Sequence, residues 1–280
     1  TLTTEKETVS LTKAFTGTFG KTESNTLLLG TDRRTSNFYA PYIQGDLSFT
    51  QNNITVINFE SQSNGCFLET ISGIEHCNIG TGTLGYGNKP TTANDLSIED
   101  KNGTYVGDAY ISSISAISGN ALVLDGNGDY INFATSYSLG DFTVSGWAYM
   151  DRDVSDGTNN ALWGESTSQN RILLRANGTH NIRINNISTQ PDVGSYSRTW
   201  NHYVTIRRND VSSLYIDGVW KYDWTVGNNV ISVGTSYIGK TGSYYLKGLV
   251  DEIAIWNRAI SAEEILQIYN EGNGMSIITP

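Results

Sequence analysis

Long apolar runs are missing from this 280-residue chain, and so is any excess of positive charge. No run approaches the roughly 18 apolar residues of a transmembrane helix, so no membrane span is expected. The net charge of −10 would repel phosphate groups, which argues against nucleic acid as a partner. Proline is scarce, at four residues, whereas 29 glycines and 16 tyrosines on a weakly charged background are typical of strands joined by polar loops. The first residues are not an initiator Met with a basic and then apolar leader, so we expect a mature, processed form.

Cysteine is almost absent too, with Cys66 and Cys77 as the two residues of this type. A zinc site needs about four ligands, and His76 adds just one nearby. We therefore favour a disulfide that closes a hairpin-like loop over two free thiols. Such a bond would stabilise the fold by about 2–3 kcal/mol.

Short strands separated by glycine-rich turns follow one another from about residue 118 onward. Residues 141–150 alternate with period two, and Asn177-Gly178 indicates a hairpin turn. One helix is expected at about 261–271, with Ser261 as its N-cap and acidic residues in its first turn. Many short strands with such turns predict an all-β fold, an antiparallel β-sandwich.

Four motifs resemble, in order, the laminin-G-like and concanavalin-A-like jelly-roll family of lectins and glucanases. They lie at residues 119–131, 142–147, 200–218 and 248–265, and a weaker one lies at 100–107. The resemblance covers about residues 90–272 and implies a jelly roll there. Members of this family are mostly binding or structural modules of extracellular proteins and are rarely catalysts, so the resemblance implies a place outside the cell or on a cell or virion surface.

Residues 1–85 resemble no family, although their pattern is also β-like. We therefore predict a small β domain over 1–85, a linker that reaches residue 90, the jelly roll over 90–272 and a tail over 273–280. Near the start of the chain, apolar residues occupy one face of an alternating segment: Val9, Leu11, Phe15 and Phe19. This strand either folds into its own domain or completes a sheet in a neighbouring subunit, which repeated head to tail would build a filament.

No catalytic constellation is predicted. Retaining glycoside hydrolysis needs two carboxyl groups about 5 Å apart, and Asp251 and Glu252 are adjacent, so on a strand they would face opposite sides. No serine or cysteine lies at a recognisable spacing from His202, which we expect to pack beside Trp200. His180, like His76, is expected in a loop.

A structural calcium ion is the one cofactor that the sequence suggests. Asp125, Asn127 and Asp129 alternate in a glycine-rich turn, where they could either bind the ion or cap their own backbone. The acidic loop at residues 151–157 superficially resembles an EF-hand but lacks the glutamate at its twelfth position.

Aromatic side chains in the second half of the chain are candidates for a glycan platform, because sugar rings stack on them. The candidates are Trp220, Tyr222, Trp224, Tyr244 and Tyr245, with Tyr237 in a neighbouring loop, and strand alternation must bury some of them. Four glycosylation sequons are also present, at Asn53, Asn102, Asn177 and Asn186, a number that chance accounts for in so asparagine-rich a chain.

Three functions remain open from the sequence. The first is a non-enzymatic structural or adhesive surface protein, of which a fibre subunit that assembles head to tail through its N-terminal strand is one form. The second is a glycan-binding, lectin-like module, and an adhesive fibre could carry such a module. The third is a glycosidase or lyase, which the missing carboxylate pair disfavours.

Overall fold

The structure of the chain is a computed structural model that describes residues 53–57, 65–68, 75–78, 84–85, 92–95, 101–112, 116–134 and 136–275. Through residue 85 it describes the backbone of the strands alone. The chain divides into two compact units, Thr1–Gln51 and Asn52–Pro280, and every described residue belongs to the second.

The described segments are built almost wholly of strands. In chain order these are β1 (Asn53–Ile57), β2 (Gly65–Leu68), β3 (Glu75–Asn78), β4 (Leu84–Gly85), β5 (Thr92–Ala93), β6 (Gly103–Val106), β7 (Tyr110–Ser112), β8 (Ala121–Asp125), β9 (Tyr130–Phe133), β10 (Tyr137–Leu139), β11 (Phe142–Met150), β12 (Asn160–Glu165), β13 (Arg171–Leu174), β14 (Asn181–Ile184), β15 (Ile187–Thr189), β16 (Trp200–Arg208), β17 (Val211–Ile216), β18 (Val219–Thr225), β19 (Ile231–Val233), β20 (Ser236–Ile238), β21 (Lys240–Thr241), β22 (Tyr244–Tyr245) and β23 (Lys247–Trp256). One α-helix, α1 (Ala262–Tyr269), is followed by a 3₁₀ turn at Asn270–Gly272. No helix among these segments is long and apolar enough to cross a membrane.

Two large sheets stack into a sandwich. The first has eleven strands in the order β18-β17-β16-β11-β23-β8-β7-β2-β3-β4, with β1 also paired to β23. The second has eight strands in the order β15-β14-β13-β12-β20-β9-β6-β5. Apart from β2 with β7, the strand pairs within both sheets are antiparallel. The predicted antiparallel sandwich is therefore confirmed.

The main core lies between the two sheets, where bulky side chains such as Trp163 of the second sheet and Phe142 and Tyr203 of the first are almost completely buried. In β11, however, eight of nine residues are buried rather than every second one. The reason is that α1 covers its other face, since Trp147 stacks on Tyr269 of the helix. The strand is thus enclosed on both sides.

The predicted N-cap of the helix is confirmed. The backbone N–H of Glu264 donates to Ser261 Oγ over 3.2 Å, and the N–H of Ser261 donates to Glu264 Oε2 over 2.7 Å. Arg258 binds both carboxylate oxygens of Glu264, at 2.9 and 2.7 Å. This capping box satisfies two backbone donors that the first helical turn leaves without intrahelical partners.

The N-terminal boundary differs from the prediction of a separate domain over residues 1–85. Strand β1 pairs with residues 253–256 of β23, and strands β2, β3 and β4 extend the same sheet. The sequence could not reveal this, because the partner of β1 lies about 200 residues further along the chain. At the other end, where a tail was predicted from residue 273, Gly274 and Met275 are buried.

Cys66 and Cys77 are directly opposite each other in the antiparallel pair β2–β3. Opposed residues in such a pair have Cα atoms about 4.5–5.5 Å apart, which is within the range that a disulfide spans. The predicted hairpin is therefore present, and the disulfide itself stays a prediction. His76 lies in β3 rather than in the expected loop.

Candidate functional site

The outward face of the eight-stranded sheet carries a continuous row of mostly polar residues. Successive register pairs place them side by side from β6 to β15, and directly opposed residues point to the same face. The row comprises Thr104, Asn132, Tyr237, Gly164, Arg171, Arg183 and Ser188. Its neighbours in each strand face the core, as shown by the buried side chains of Ile131, Trp163, Ile172 and Ile238.

A short hairpin, β21–β22, crosses this row at Gly164. A Cβ atom at Gly164 would collide with the side chain of Thr241, so glycine lets the hairpin approach the sheet closely. Thr241 is fully buried there and donates through Oγ1 to the carbonyl of Glu165 over 3.3 Å. The hairpin therefore divides the outward face into two halves.

On one side of the hairpin, three tyrosine rings surround one ammonium group. The Nζ atom of Lys240 lies 4.1 Å from the ring centroid of Tyr130, 5.0 Å from that of Tyr237 and 5.6 Å from that of Tyr245. Tyr130 and Tyr237 meet edge to face at 5.4 Å, and all four residues are half-buried. We call these four residues the tyrosine–lysine cluster. Its rings offer flat surfaces to a sugar, and its lysine offers a positive charge.

Three carboxylates meet at the turn that precedes Tyr130. One oxygen each of Asp108, Asp125 and Asp129 lies within 4.8 Å of the others. Asp129 accepts the backbone N–H groups of Asp108 and Asp125, at 2.8 and 3.2 Å. The backbone N–H of Asn127 donates to Asp125 Oδ1.

The ionisation of Asp129 reflects this crowding. Burial raises the pKa of Asp129 to about 6, and the side chain of Asp108 and the charge of Asp125 act in the same direction. Gly107 makes room for the carboxylate, because a Cβ atom there would overlap Asp129 Oδ1. Hard cations prefer ligands of this kind, and the calcium site stays a prediction, with Asp108 as a further ligand.

The aromatic residues predicted as one platform are separated by the fold. A β-bulge at Lys221 shifts the register of β18, so that Trp220 is opposite Tyr215 while Tyr222 is opposite the buried Leu214. Trp220 thereby faces away from Tyr222, and its Nε1 donates to Asp223 Oδ1 over 2.8 Å.

The remaining candidates of that platform are also apart. Trp224, opposite Ser212, is buried at 8 % exposure and stacks on Tyr222 at 6.4 Å. Tyr244 and Tyr245 lie in the hairpin on the other sheet. The five residues therefore do not lie together, because the bulge breaks the alternation in β18 and the two tyrosines lie on the other sheet. Their role in glycan binding stays a prediction.

A serine and a histidine meet on the outward face of the eleven-stranded sheet. Ser145 Oγ lies 2.7 Å from His202 Nε2, a contact that their spacing in the sequence did not reveal. The ring of His202 stacks with those of Trp147 and Tyr269, at 5.1 and 6.2 Å, rather than packing beside Trp200 as expected. Burial lowers the pKa of His202 to about 3, so the ring is neutral at physiological pH. The pair lies beneath α1, out of reach of a polysaccharide.

Asp251 and Glu252 are buried beside this stack, at 0 % and 3 % exposure. Asp251 Oδ2 accepts the backbone N–H groups of Ile117 and Ser118, at 3.0 and 3.1 Å, which fastens a loop to β23. Glu252 occupies a bulge with a φ of 46°. These contacts support a structural role for both carboxylates.

The acidic loop at residues 151–157 has basic partners. Asp151 accepts from Arg198 at 3.2 Å and from Lys247 at 2.9 Å, and Arg198 also reaches Asp153 at 2.9 Å. Hydrogen bonds and ion pairs with Lys247 and Arg198 hold the pKa of Asp151 below its usual range.

Other predicted residues are dispersed. Asn102 and Asn186 are exposed, Asn177 is half-buried, and the backbone of Asn53 lies in β1. His180 lies in the loop before β14, as expected, and it is fully buried there, where its Nδ1 accepts the N–H of Arg175 over 3.1 Å. The proposed assembly strand, with Val9, Leu11, Phe15 and Phe19, lies outside the described residues, so the filament stays a prediction.

A comparison with protein families identifies the fold family. Residues 125–266, just over half of the chain, match the family described as the concanavalin A-like lectin/glucanases superfamily. The chain belongs to that superfamily. The resemblance found in the sequence motifs is therefore confirmed, and the half-buried tyrosines and arginines belong to the outward face of a concanavalin A-like sandwich. No curated protein matches the chain.

Solved structures with the same fold include several binding domains. The receptor binding domain of the botulinum neurotoxin C/D mosaic serotype has a TM-score of 0.54 at 16% identity, covering 79% of this chain and 51% of that one. The binding domain of Paraclostridial Mosquitocidal Protein 1 has a TM-score of 0.52 at 15% identity, covering 80% and 53%. The ligand binding domain of botulinum neurotoxin serotype D in complex with N-acetylneuraminic acid has a TM-score of 0.51 at 16% identity, covering 79% and 51%. The chain spans about half the length of these proteins, and the likeness is one of fold.

Proposed function

We propose that this chain is a non-catalytic glycan-binding module of an extracellular protein, and that the tyrosine–lysine cluster is its binding site. The observation that carries the proposal is the grouping of three half-buried tyrosine rings around Lys240 on an outward sheet face. Aromatic rings of this kind stack on the C–H faces of sugars, and partial burial holds them in place before the ligand arrives.

The fold relatives support a binding role. The three solved structures are a receptor binding domain, a ligand binding domain and a binding domain, and the second of these is in complex with N-acetylneuraminic acid. This sugar is therefore a rational first probe for the present chain. A binding module with this fold is also in keeping with a place outside the cell.

The placement of the carboxylates argues against glycoside hydrolysis. Asp251 is occupied by backbone donors, and both Asp251 and Glu252 are buried. The exposed carboxylates of the acidic loop form ion pairs with Arg152, Arg198 and Lys247. Neither the buried pair nor the ion-paired loop therefore supplies the two accessible carboxyl groups that hydrolysis requires. Asp108 and Asp125 are exposed and close together, but they share their turn with Asp129, where we predict a calcium site.

A glycan panel with neutral and acidic sugars tests the proposal, followed by calorimetric titration of the sugars that bind. Two matched variants locate the site, Tyr237→Ala in the cluster and Trp220→Ala on the edge strand β18. We expect Tyr237→Ala to weaken binding about fivefold, since an aromatic contact contributes about 1 kcal/mol, and Trp220→Ala to leave the affinity unchanged. Thermal melts of both variants check that the fold is retained.

The opposite pattern, with affinity lost in Trp220→Ala alone, would move the site to β18. Failure of the intact protein to bind any sugar on the panel would overturn the proposed function. Release of reducing sugar from a polysaccharide would show that the module is catalytic.

A further inference from the structure

The half of the outward face beyond the hairpin is positively charged. Arg171 of β13 and Arg183 of β14 are directly opposite each other and share this face. Like charges in this position are destabilising. Among the described residues neither guanidinium forms an ion pair, although the protein as a whole carries a net charge of −10. The two arginines therefore form a local cationic patch on an acidic protein.

The two arginines donate hydrogen bonds to neutral acceptors, and these bonds do not use all of their N–H groups. Arg171 Nη2 donates to Asn181 Oδ1 over 3.1 Å, and its buried Nε has no partner. Arg183 donates through Nε to Ser188 Oγ over 2.7 Å. An arginine has five N–H donors, and anionic oxygens are the acceptors that it binds most strongly.

An exposed tyrosine lies beside the pair. Tyr244, at 39 % exposure, is opposite Thr241 in the hairpin. Burial and the charge of Arg183 lower the pKa of Arg171, whereas the nearby phenol of Tyr244 acts in the opposite direction. Arg171 is two strands away from Tyr237, or about 10 Å at the usual strand spacing. An oligosaccharide could therefore contact both halves of the face.

We infer that this face prefers a glycan with a negatively charged sugar, a carboxylate or a sulfate, which Arg171 and Arg183 bind while Tyr244 packs against the sugar ring. The inference rests on the proposed function and adds the ligand class. Charge complementarity supports it, because an anionic group would relieve the repulsion between the opposed guanidinium groups.

Titration of the full chain with 3′-sialyllactose, lactose 3′-sulfate and lactose tests the inference. The first two carry the negative charge as a carboxylate and as a sulfate, and lactose carries none. We expect at least one charged sugar to bind about tenfold more tightly than lactose, with a preference that shrinks at higher salt. The stronger of the two identifies the acidic group.

Variants assign the preference to the arginines. Arg171→Gln and Arg183→Gln should each reduce the preference for the charged sugar over lactose roughly tenfold, whereas the control Arg208→Gln, on the other sheet, should keep this preference. Because the variants remove a repulsion, their melting temperatures should stay the same or rise.

Two outcomes would overturn the inference and keep the proposed function. One is equal binding of lactose and both charged sugars, and the other is a preference that survives in Arg171→Gln and Arg183→Gln. Equally tight binding of polyglutamate would also overturn it, since it would show charge attraction without sugar recognition. If no sugar on the larger panel binds, the proposed function fails together with the inference.

Discussion

The two outward faces of the sandwich differ in what covers them. On the eleven-stranded sheet, helix α1 closes the centre, and Ser145, Trp147 and His202 are at most 2 % exposed. On the eight-stranded sheet a two-stranded hairpin crosses the centre, and Tyr237 and Arg171 on either side of it remain half-buried. The outward face of the eleven-stranded sheet therefore carries an enclosed polar cluster, whereas that of the eight-stranded sheet carries an accessible one.

This difference determines how the chemistry of each face is interpreted. Ser145 and His202 lie at hydrogen-bonding distance, as a catalytic pair would, but both are buried, so a substrate cannot reach them. His202 Nδ1 has no partner among the described residues. The outward face of the eight-stranded sheet is the open face, where tyrosines and cations are accessible. The arginines there have no ion-pair partner in the described segments. Function is thus expected on the eight-stranded sheet, and stability on the other.

Replacement of Trp147 by alanine should have the largest effect. Trp147 is almost completely buried and stacks on both His202 and Tyr269, so Trp147→Ala leaves a cavity beneath α1 and should cost about 3–5 kcal/mol of unfolding free energy. Urea unfolding measures this loss, and Tyr237→Ala on the open face, expected to cost much less, is the control. Equal destabilisation by the two variants would show that the two faces are packed alike.

Acid should destabilise the protein through its enclosed histidines. The pKa of His202, like that of His180, is lowered to about 3 by burial, from 6.5 in the unfolded chain. The unfolded state therefore binds more protons between pH 6.5 and pH 3, and stability that is fully present above pH 6.5 is lost as the pH falls through this range. Each histidine contributes a slope of about 1.4 kcal/mol per pH unit in the middle of it.

The variant His202→Gln isolates one of these slopes. Glutamine can keep a hydrogen bond to Ser145 but does not titrate, so urea unfolding from pH 7 to pH 4 should show a shallower decline than in the wild type. An identical decline would mean that the ring is protonated in the folded protein and hence that the closed face admits water.

The sequence predicted the fold well wherever local signals were sufficient. The N-cap at Ser261 and the strand 142–150 were recognisable because capping and alternation depend on neighbours in the chain. Strand β1 was recognised as β-like, but its place beside β23 was not, because pairing over such a distance leaves no local pattern.

The candidate site shows the same limit more sharply. Tyr237 and Tyr245 were among the predicted aromatic residues, but their grouping with Tyr130 and Lys240 was not predicted, because strand register and a hairpin crossing bring the four residues together. The opposed arginines were missed for the same reason. The bulge at Lys221 acts in the opposite way, since it separates aromatic residues that the sequence places side by side.

The smallest effect is expected at the aspartate turn, at the edge of the open face. If Asp108, Asp125 and Asp129 bind calcium, millimolar CaCl₂ at pH 7.5 should stabilise the protein by about 1–2 kcal/mol, as expected for a site of extracellular affinity. The shift in melting temperature should fade below pH 6, because protons then compete for Asp129, whose pKa is raised to about 6. Asp129→Asn should abolish the shift, and Asp153→Asn, in the ion-paired acidic loop, should retain it. A wild-type protein that is insensitive to calcium would show that these carboxylates cap their own backbone, and an equal shift in Asp129→Asn would place the ion elsewhere.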